Sequence, residues 1–166
     1  LAKDPEYEII FKKRDPRYDD VVRANAIVRE FIHEHKLVIY GGTAIDLNLR
    51  LRGSHLYSDE MLPISDYDFF SPTHAKHAYE LADQLFAAGF GDARVILASH
   101  YSTMRVDIGD NHFIADISYQ PPAAFDHIPT NQFQGIKIVS PLFQYMDVHL
   151  SLSLPYYDAP RENIFN

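Results

Sequence analysis

Hydrophobic residues recur with a helical period in parts of the first half of the chain and form one continuous run. In residues 15–36 they repeat every three or four positions after a proline, which predicts an amphipathic helix. Residues 37–40, Leu-Val-Ile-Tyr, are followed by glycine and predict a fully buried strand. Residues 42–52 then predict a helix, with Thr43 available as its cap and Asp46 in its first turn.

The next segments alternate between irregular and regular patterns. Residues 53–65 contain Gly, Pro and polar residues without a period, so they predict a loop. Residues 66–70, Asp-Tyr-Asp-Phe-Phe, predict a second strand. Ser71 and Pro72 predict the cap and first residue of another helix, which Ala-Ala-Gly-Phe-Gly ends.

Shorter apolar runs dominate the second half of the chain. They predict strands at 93–99, 102–108, 112–119 and 135–139, and the tight-turn sequence Gly-Asp-Asn joins the second of these to the third. Residues 121–134 predict an irregular loop, and residues 140–154, which open with Ser-Pro, predict a helix. Helices around short, partly hairpin-joined strands predict a mixed-sheet α/β or α+β domain.

Composition narrows the class of protein. The 166 residues, 46% of them hydrophobic, suffice for one core and are too few for two, so we expect one domain. The absence of cysteine excludes disulfides and thiolate sites, and any metal must bind oxygen or nitrogen. A net charge of −8 disfavours a general nucleic-acid coat, but acids around divalent cations still fit a phosphate site. No apolar run approaches the roughly 20 residues of a membrane span, so we expect a soluble, intracellular, cytoplasmic protein.

Three aspartates are the main candidates for chemistry. Strand alternation sends Asp66 and Asp68 to one face, where two close carboxylates call for a divalent cation; the simpler interpretation is a pair of solvent-facing acids. Asp116 lies inside an apolar strand, where an unpaired charge is unfavourable. If the two strands are neighbours, the three acids could hold two Mg²⁺ or Mn²⁺ ions about 3.5–4 Å apart for phosphoryl transfer. Asp107 competes as the third acid, but it lies two residues from Arg105 and could pair with it.

Gly41 and Gly42 supply a second candidate feature. Glycines let the backbone approach a ligand, and the helix start behind them presents N–H groups to an anion. The hydroxyl of Thr43 could add a contact to a phosphate oxygen. By itself, Gly-Gly also fits an ordinary tight turn with Thr43 as an N-cap.

The nine histidines give a weaker signal. His33 and His35 are two apart on a predicted helix and face different ways, whereas His74 and His77 could share a face. The sequence offers no evident third ligand for either pair, so a surface pair is the favoured interpretation.

The apolar strand ending in Gly-Gly-Thr, the Ser-Asp-Tyr-Asp-Phe-Phe segment and the later Ala-Asp-Ile-Ser-Tyr resemble the nucleotidyltransferase superfamily, with its polymerase β-like fold. From residue 37 onward the chain resembles more closely the polyadenylate polymerases of large cytoplasmic DNA viruses. This resemblance implies a palm-like α+β domain with a mixed, mostly antiparallel sheet of about five strands flanked by helices.

The same resemblance implies roles for the candidate residues. Gly41, Gly42 and Thr43 would position the triphosphate of ATP, and Asp66, Asp68 and Asp116 would be catalytic acids that hold Mg²⁺ or Mn²⁺. The implied activity moves AMP from ATP to a hydroxyl acceptor, for which we expect an RNA 3′ end, and releases pyrophosphate. The alternatives are adenylylation of a small molecule, a tRNA or a protein, and a catalytically silent binding or assembly module. The oligomeric state stays open.

Two departures from the family pattern carry further expectations. The 23 residues between Gly42 and Asp66 exceed the compact spacing, so an inserted loop at 53–65 would lie near the mouth of the site. Poly(A) polymerases resemble one another in a helical domain after the catalytic one, so residues 1–166 are either a catalytic module of a longer chain or a short relative with another acceptor. Basic candidates for an acceptor path, most of them expected to be surface charges, are Lys12, Lys13, Arg14, Arg50, Arg52 and Lys137.

Overall fold

A computed structural model describes residues 5–99 and 102–146 of the chain. Its helices are α1 (Pro5–Lys13), α2 (Tyr18–Glu34), α3 (Gly41–Arg50), α4 (His74–Ala87) and α5 (Pro122–Phe125), with a 3₁₀ helix at Leu62–Ile64. Its strands are β1 (Val38–Tyr40), β2 (Tyr67–Ser71), β3 (Arg94–Leu97), β4 (Thr103–Asp107), β5 (Phe113–Tyr119), β6 (Thr130–Phe133) and β7 (Ile136–Val139). Residues 141–146 are also helical, and the rest of the helix predicted at 140–154 lies outside the described residues.

The strands form one seven-stranded sheet in the order β3-β4-β5-β2-β1-β7-β6. β2 is parallel to β5 and β1 is parallel to β7, while the other four neighbouring pairs are antiparallel. α2 and α4 contact each other and the sheet, and α3 packs against β1, β2 and β7. Fully buried side chains such as Phe31, Phe69 and Leu81 fill the core, each contributing about 1.5–3 kcal/mol. The central strands β1 and β2 are therefore held by neighbours on both sides.

The predicted mixed, mostly antiparallel sheet is confirmed, although it has seven strands rather than about five. Residues 121–134 are not an irregular loop throughout, because they contain α5 and β6. Three of the four residues of β6 are exposed, and the strand lies at the sheet edge with β7 as its neighbour. A short edge strand with little burial need not show an alternating pattern, which explains why the sequence did not reveal it.

Two predicted helix starts are wrong in detail. α3 begins at Gly41 with Tyr40 at the N-cap position, so Thr43 is a residue inside the helix and Asp46 lies beyond the first turn. α4 begins at His74, and Ser71 instead ends β2. In both places the polar side chain bonds to a neighbouring segment, which a local capping pattern cannot distinguish from a cap.

Candidate active site

The sheet places two of the three candidate acids side by side. Asp68, in β2, is the direct register partner of Asp116 in the parallel neighbour β5. Asp66 comes immediately before β2, and the intervening Tyr67 is buried. The condition that the two aspartate-bearing strands be neighbours is met, at the end of β2 that adjoins the glycine turn after β1.

Arg105 holds Asp116 from the other side. It is the register partner of Asp116 across β4 and β5, and its Nε and Nη2 donate to Oδ1 and Oδ2, each at 2.7 Å. The side chain of Asp116 is only 6% exposed, so this two-bond contact compensates a charge that would otherwise be buried alone. Hydrogen bonding to Asp116, with the charges of Asp116, Asp66 and Asp68, raises the pKa of Arg105. All three acids therefore act on one guanidinium group.

The alternative third acid, Asp107, is placed differently. It is fully buried, accepts hydrogen bonds from Nε of Arg94 at 3.0 Å to both oxygens, and accepts another from the Gly109 N–H at 3.0 Å. The expected pairing of Asp107 with Arg105 is wrong. Strand register sets Asp107 opposite Arg94 across β3 and β4, whereas Arg105 lies opposite Asp116 across β4 and β5. Asp107 is thus held by its own hairpin and by β3.

Asp66 has an altered acidity. Burial of its carboxyl group and the nearby charge of Asp116 raise the pKa of Asp66 above the ordinary value of 3.8. Asp66 as a whole residue is exposed to solvent, so water weakens the effect of burial on its pKa. The charge of Asp116 is the other cause of the raised pKa, and strand pairing places Asp116 nearby. Burial and the charges of Asp66 and Asp68 likewise raise the pKa of Tyr57. The acids therefore place negative charges near one another, as a cation site requires.

The glycine turn lies directly against these acids. Gly41 has φ of +74°, and a Cβ placed there would come 2.6 Å from Oδ2 of Asp68. A Cβ on Gly42 would collide with the hydroxyl of Tyr57. Both positions need glycine for space, and Gly41 also needs it for its left-handed backbone.

Thr43 and Gln144 fix the turn. Thr43 is buried, and its hydroxyl donates to the backbone carbonyl of Asp66 at 3.2 Å, which ties α3 to the start of β2. Nε2 of Gln144 donates to the carbonyl of Gly41 at 2.8 Å. The hydroxyl of Thr43 thus already has a protein partner, while its predicted contact to a phosphate remains a prediction.

The long segment between Gly42 and Asp66 folds over this turn. Buried Asp46 accepts the backbone N–H groups of Leu56 and Tyr57, each at 2.7 Å, and pairs with Nε of Arg50 at 2.6 Å. These bonds hold Tyr57 beside the second glycine. Part of the expected inserted loop therefore does lie at the site.

Three of the basic candidates for an acceptor path have contacts near the site. Lys13 pairs with Glu60, and Arg50 pairs with Asp46 and Asp59, so these cations serve to hold the loop. Lys12 pairs with Glu8 at 3.6 Å and also lines a recess of about 270 Å³ that includes Asp66. The other residues around this recess are Asp15, Tyr18, Val21, Ile64, Asn111, His112 and Phe113.

Comparisons with known proteins show the family of this chain. A family model described as the poly(A) polymerase catalytic subunit matches residues 26–158. The putative poly(A) polymerase catalytic subunit of African swine fever virus, isolate Pig/Kenya/KEN-50/1950, is 42% identical over 162 residues, which cover 98% of this chain and 34% of that protein. The chain belongs to the poly(A) polymerase catalytic subunit family.

Two further members or neighbours are more distant. The putative poly(A) polymerase catalytic subunit of Acanthamoeba polyphaga mimivirus is 27% identical over 121 residues, 73% of this chain and 20% of that protein. The crystal structure of the Megavirus polyadenylate synthase matches with a TM-score of 0.83 and 24% identity, over 96% of this chain and 32% of that chain. This likeness shows the same α+β fold. The chain spans about a third of the length of the African swine fever virus relatives.

The three aspartates can be compared with the ligands that a divalent metal ion requires. Carboxylate oxygens are the ligands that Mg²⁺ and Mn²⁺ prefer, so the three aspartates suit such ions chemically. As placed, they are not closed around one point, because Arg105 engages both oxygens of Asp116. Within residues 5–99 and 102–146, the set of three potential ligands with atoms all within 4.8 Å of one another is His35, His77 and Glu80.

Three residues of the candidate site were not predicted from the sequence. Arg105 faces Asp116 through the register of β4 with β5, and that register contains a shift which the sequence pattern does not reveal. The contacts of Tyr57 and Gln144 are long-range and leave no local signal in the sequence.

None of the helices in the described residues is both long enough and apolar enough to cross a lipid bilayer.

Proposed function

We propose that this chain is the catalytic part of a divalent-metal-dependent nucleotidyltransferase that moves AMP from ATP to an RNA 3′ end and releases pyrophosphate. The observation that carries the proposal is the direct pairing of Asp68 with Asp116 beside the turn at Gly41. Membership of the poly(A) polymerase family supports ATP as donor and RNA as acceptor. By the same family likeness we infer a viral protein that works in the host cytoplasm or is carried in the virion.

The proposed roles are assigned from the positions of these residues and from the family likeness. Asp66 and Asp68 hold Mg²⁺ or Mn²⁺, and Asp116 is the third carboxylate, which orients the acceptor hydroxyl. Gly41 and Gly42 let the backbone approach the triphosphate, which the start of α3 attracts electrostatically. Bound divalent cations supply activation of the attacking hydroxyl and neutralisation of the triphosphate. The protein's contribution is positioning and electrostatic stabilisation.

Arg105 has a role in this proposal that the sequence did not suggest. Its guanidinium donates two hydrogen bonds to Asp116 and so offsets the charge of that buried carboxylate. We infer that Arg105 sets the orientation of Asp116 and limits repulsion among the three acids. It is a positioning residue, since its contact is with an acid.

The acceptor is the part of the proposal that rests most on the family. The recess beside Asp66, with Lys12 and Tyr18 in its lining, is where we place the acceptor end. A helical domain beyond the catalytic module would complete the grip on RNA, in keeping with the greater length of the viral relatives. Adenylylation of another acceptor and a silent assembly role remain the alternatives.

The test measures extension of an oligo(A) primer with labelled ATP and Mg²⁺ or Mn²⁺. It uses both the chain and the product of the whole reading frame that encodes it. We expect the unsubstituted protein to extend the primer, and we expect no extension when the same protein carries Asp66→Asn/Asp68→Asn. The matched control Asp19→Asn/Asp83→Asn removes two exposed acids and should extend normally.

The outcomes separate the parts of the proposal. Extension only by the longer product supports a further domain that binds RNA. Labelling of tRNA or protein instead of oligo(A) would show that the acceptor is not an RNA 3′ end of this kind. Equal extension by the parent and Asp66→Asn/Asp68→Asn overturns the site. Absence of metal-dependent ATP binding by both proteins overturns the activity.

A further inference from the structure

A second cluster of potential ligands lies behind the sheet. His35 follows the last residue of α2, while His77 and Glu80 are one turn apart on α4. One ligand atom from each lies within 4.8 Å of the others, and all three residues are partly exposed, so an ion can reach them. The cluster adjoins Ser71 at the end of β2, three residues beyond Asp68, and is separate from the candidate active site.

The contacts of His35 define which of its nitrogens can bind. Its Nδ1 lies 3.0 Å from the carbonyl oxygen of Phe31. A carbonyl oxygen can only accept, so Nδ1 carries a hydrogen, and Nε2 of the neutral ring carries the free electron pair. The second ring nitrogen of a metal-binding histidine is ordinarily held in this way.

The spacing between His35 and Glu80 suits an intervening cation. Nε2 of His35 lies 3.7 Å from Oε2 of Glu80, which is longer than a hydrogen bond. An electron pair that faces a carboxylate oxygen is repelled unless a cation or a proton lies between them. Tetrahedral Zn²⁺, with bonds of about 2.0–2.2 Å, sets its N and O ligands about 3.4 Å apart. If these two atoms moved a few tenths of an ångström closer, both could therefore bind the same zinc ion.

The ring of His77 is held as firmly. Its Nδ1 lies 2.6 Å from Oγ of Ser71, which also accepts the N–H of Thr73 at 3.0 Å. The rings of His35 and His77 are 5.0 Å apart and meet at 73°.

We propose that His35, His77 and Glu80 form a binding site for a transition-metal ion of the zinc type, which joins the end of α2 to α4. Two imidazoles and one carboxylate are a zinc ligand set, with a fourth position for water. The site does not depend on the proposed nucleotidyl transfer. His74, which the sequence placed on one face with His77, is not among these ligands, and its ring lies 5.3 Å from that of Tyr119.

The test titrates Zn²⁺ into the chain by calorimetry with Mg²⁺ in excess, so that the aspartates do not compete for zinc. An Asp66→Asn/Asp68→Asn background provides a second way to remove that competition. We expect one equivalent of zinc to bind, and at least a tenfold loss of affinity in His35→Ala, His77→Ala and Glu80→Gln. His33→Ala and His74→Ala, on the same two helices, are matched controls that should bind as the parent does.

A thermal measurement gives an independent readout. An ion that binds only the folded protein raises its unfolding temperature, so zinc should stabilise the parent and both controls but not the ligand variants. If a histidine variant fails to fold, Glu80→Gln decides, because it keeps the size of a partly exposed side chain. Absence of zinc binding by the parent, or equal affinity in Glu80→Gln and the controls, overturns the proposal.

Discussion

Two arginine–aspartate pairs look alike and have different surroundings: one joins β3 to β4, and the other joins β4 to β5. Asp107 and Asp116 are both buried acids, and each is bonded to one arginine. Arg105 uses two nitrogens to hold Asp116, whereas Arg94 shares one nitrogen between the oxygens of Asp107. Asp66 and Asp68 lie near the ion pair formed by Asp116. Asp107 instead accepts a hydrogen bond from Gly109 in the hairpin turn that follows it.

This difference shows that burial and pairing do not by themselves mark a functional acid. Asp107 is the more deeply buried of the two: as whole residues, Asp107 is 0% exposed and Asp116 is 4% exposed. Asp116 is distinguished by its register with Asp68 across parallel strands, which places it in the charge cluster next to Gly41. The comparison can be tested by making the same change on both sides.

Removal of each carboxylate charge should have the largest effect. We expect Asp116→Asn to lower the rate of AMP transfer by about 10²–10³-fold, the scale of losing one electrostatic contact in an active site. Asp107→Asn should keep the rate within a few-fold and lower the free energy of unfolding by about 1–3 kcal/mol, because it weakens a buried ionic bond. Primer extension and urea unfolding on the same samples provide the measurement. A greater rate loss in Asp107→Asn would make it the third acid.

Removal of each arginine should separate the pairs by their response to metal. Arg105→Gln leaves the buried charge of Asp116 unpaired and should cost about 2–4 kcal/mol of unfolding free energy. Because Arg94 is 56% exposed and solvent screens its pair, Arg94→Gln should cost only about 1–2 kcal/mol.

Mg²⁺ should restore much of the stability of Arg105→Gln, because a cation can replace the lost positive charge among the acids. It should not restore Arg94→Gln, because Asp107 is bonded to the N–H of Gly109 in its own hairpin and is not part of the cluster formed by Asp66, Asp68 and Asp116. Denaturant unfolding with and without Mg²⁺ measures both effects. Equal recovery of the two variants would contradict the assignment of the cluster as a cation site.

Two glycines offer a matched test beside the two pairs. Gly41 and Gly109 both have positive φ, and a Cβ would approach Asp68 at the first and Asp92 at the second. Each substitution by alanine should cost about 1–2 kcal/mol, the usual penalty for an L-residue in this region. Only Gly41→Ala should also slow AMP transfer, since it pushes against Asp68. Thermal unfolding and primer extension distinguish the two, and parallel loss of activity in both variants would count against the site.

The sequence predicted the central elements well, because they carry strong local patterns. The continuous apolar run before Gly41 became a central strand, and alternation around Asp66 and Asp68 placed the latter on a strand next to Asp116. These signals depend on burial, which hydrophobicity reports directly.

The features that were missed depend on contacts between distant segments. The bond from Gln144 to Gly41 spans 103 positions and that of Thr43 to Asp66 spans 23, so neither leaves a local pattern. The error at Arg105 has another origin: adjacency in sequence suggested Asp107, whereas strand pairing selected Asp116. Side-chain partners in a sheet follow from register, which requires knowing the neighbouring strand.

The acidity of Asp66 gives the smallest and most local test. Its pKa in the folded protein lies above the ordinary 3.8, so the folded state binds the proton more tightly than the unfolded chain. The stabilising effect of that proton is fully present below pH 3.8 and is lost as the pH rises through the folded-state pKa. Asp66→Asn should therefore flatten the dependence of unfolding free energy on pH above 3.8, measured without divalent metal.

Carboxyl carbon NMR titration of Asp66 sharpens this test, because one of the two causes of its raised pKa is the charge of Asp116. In Asp116→Asn the pKa of Asp66 should fall towards its ordinary value, while in Asp107→Asn it should stay where it is in the parent. An equal fall in both variants would mean that the two buried acids influence the site alike. A fall confined to Asp116→Asn would tie the acidity of Asp66 to the same strand register that aligns Asp116 with Asp68.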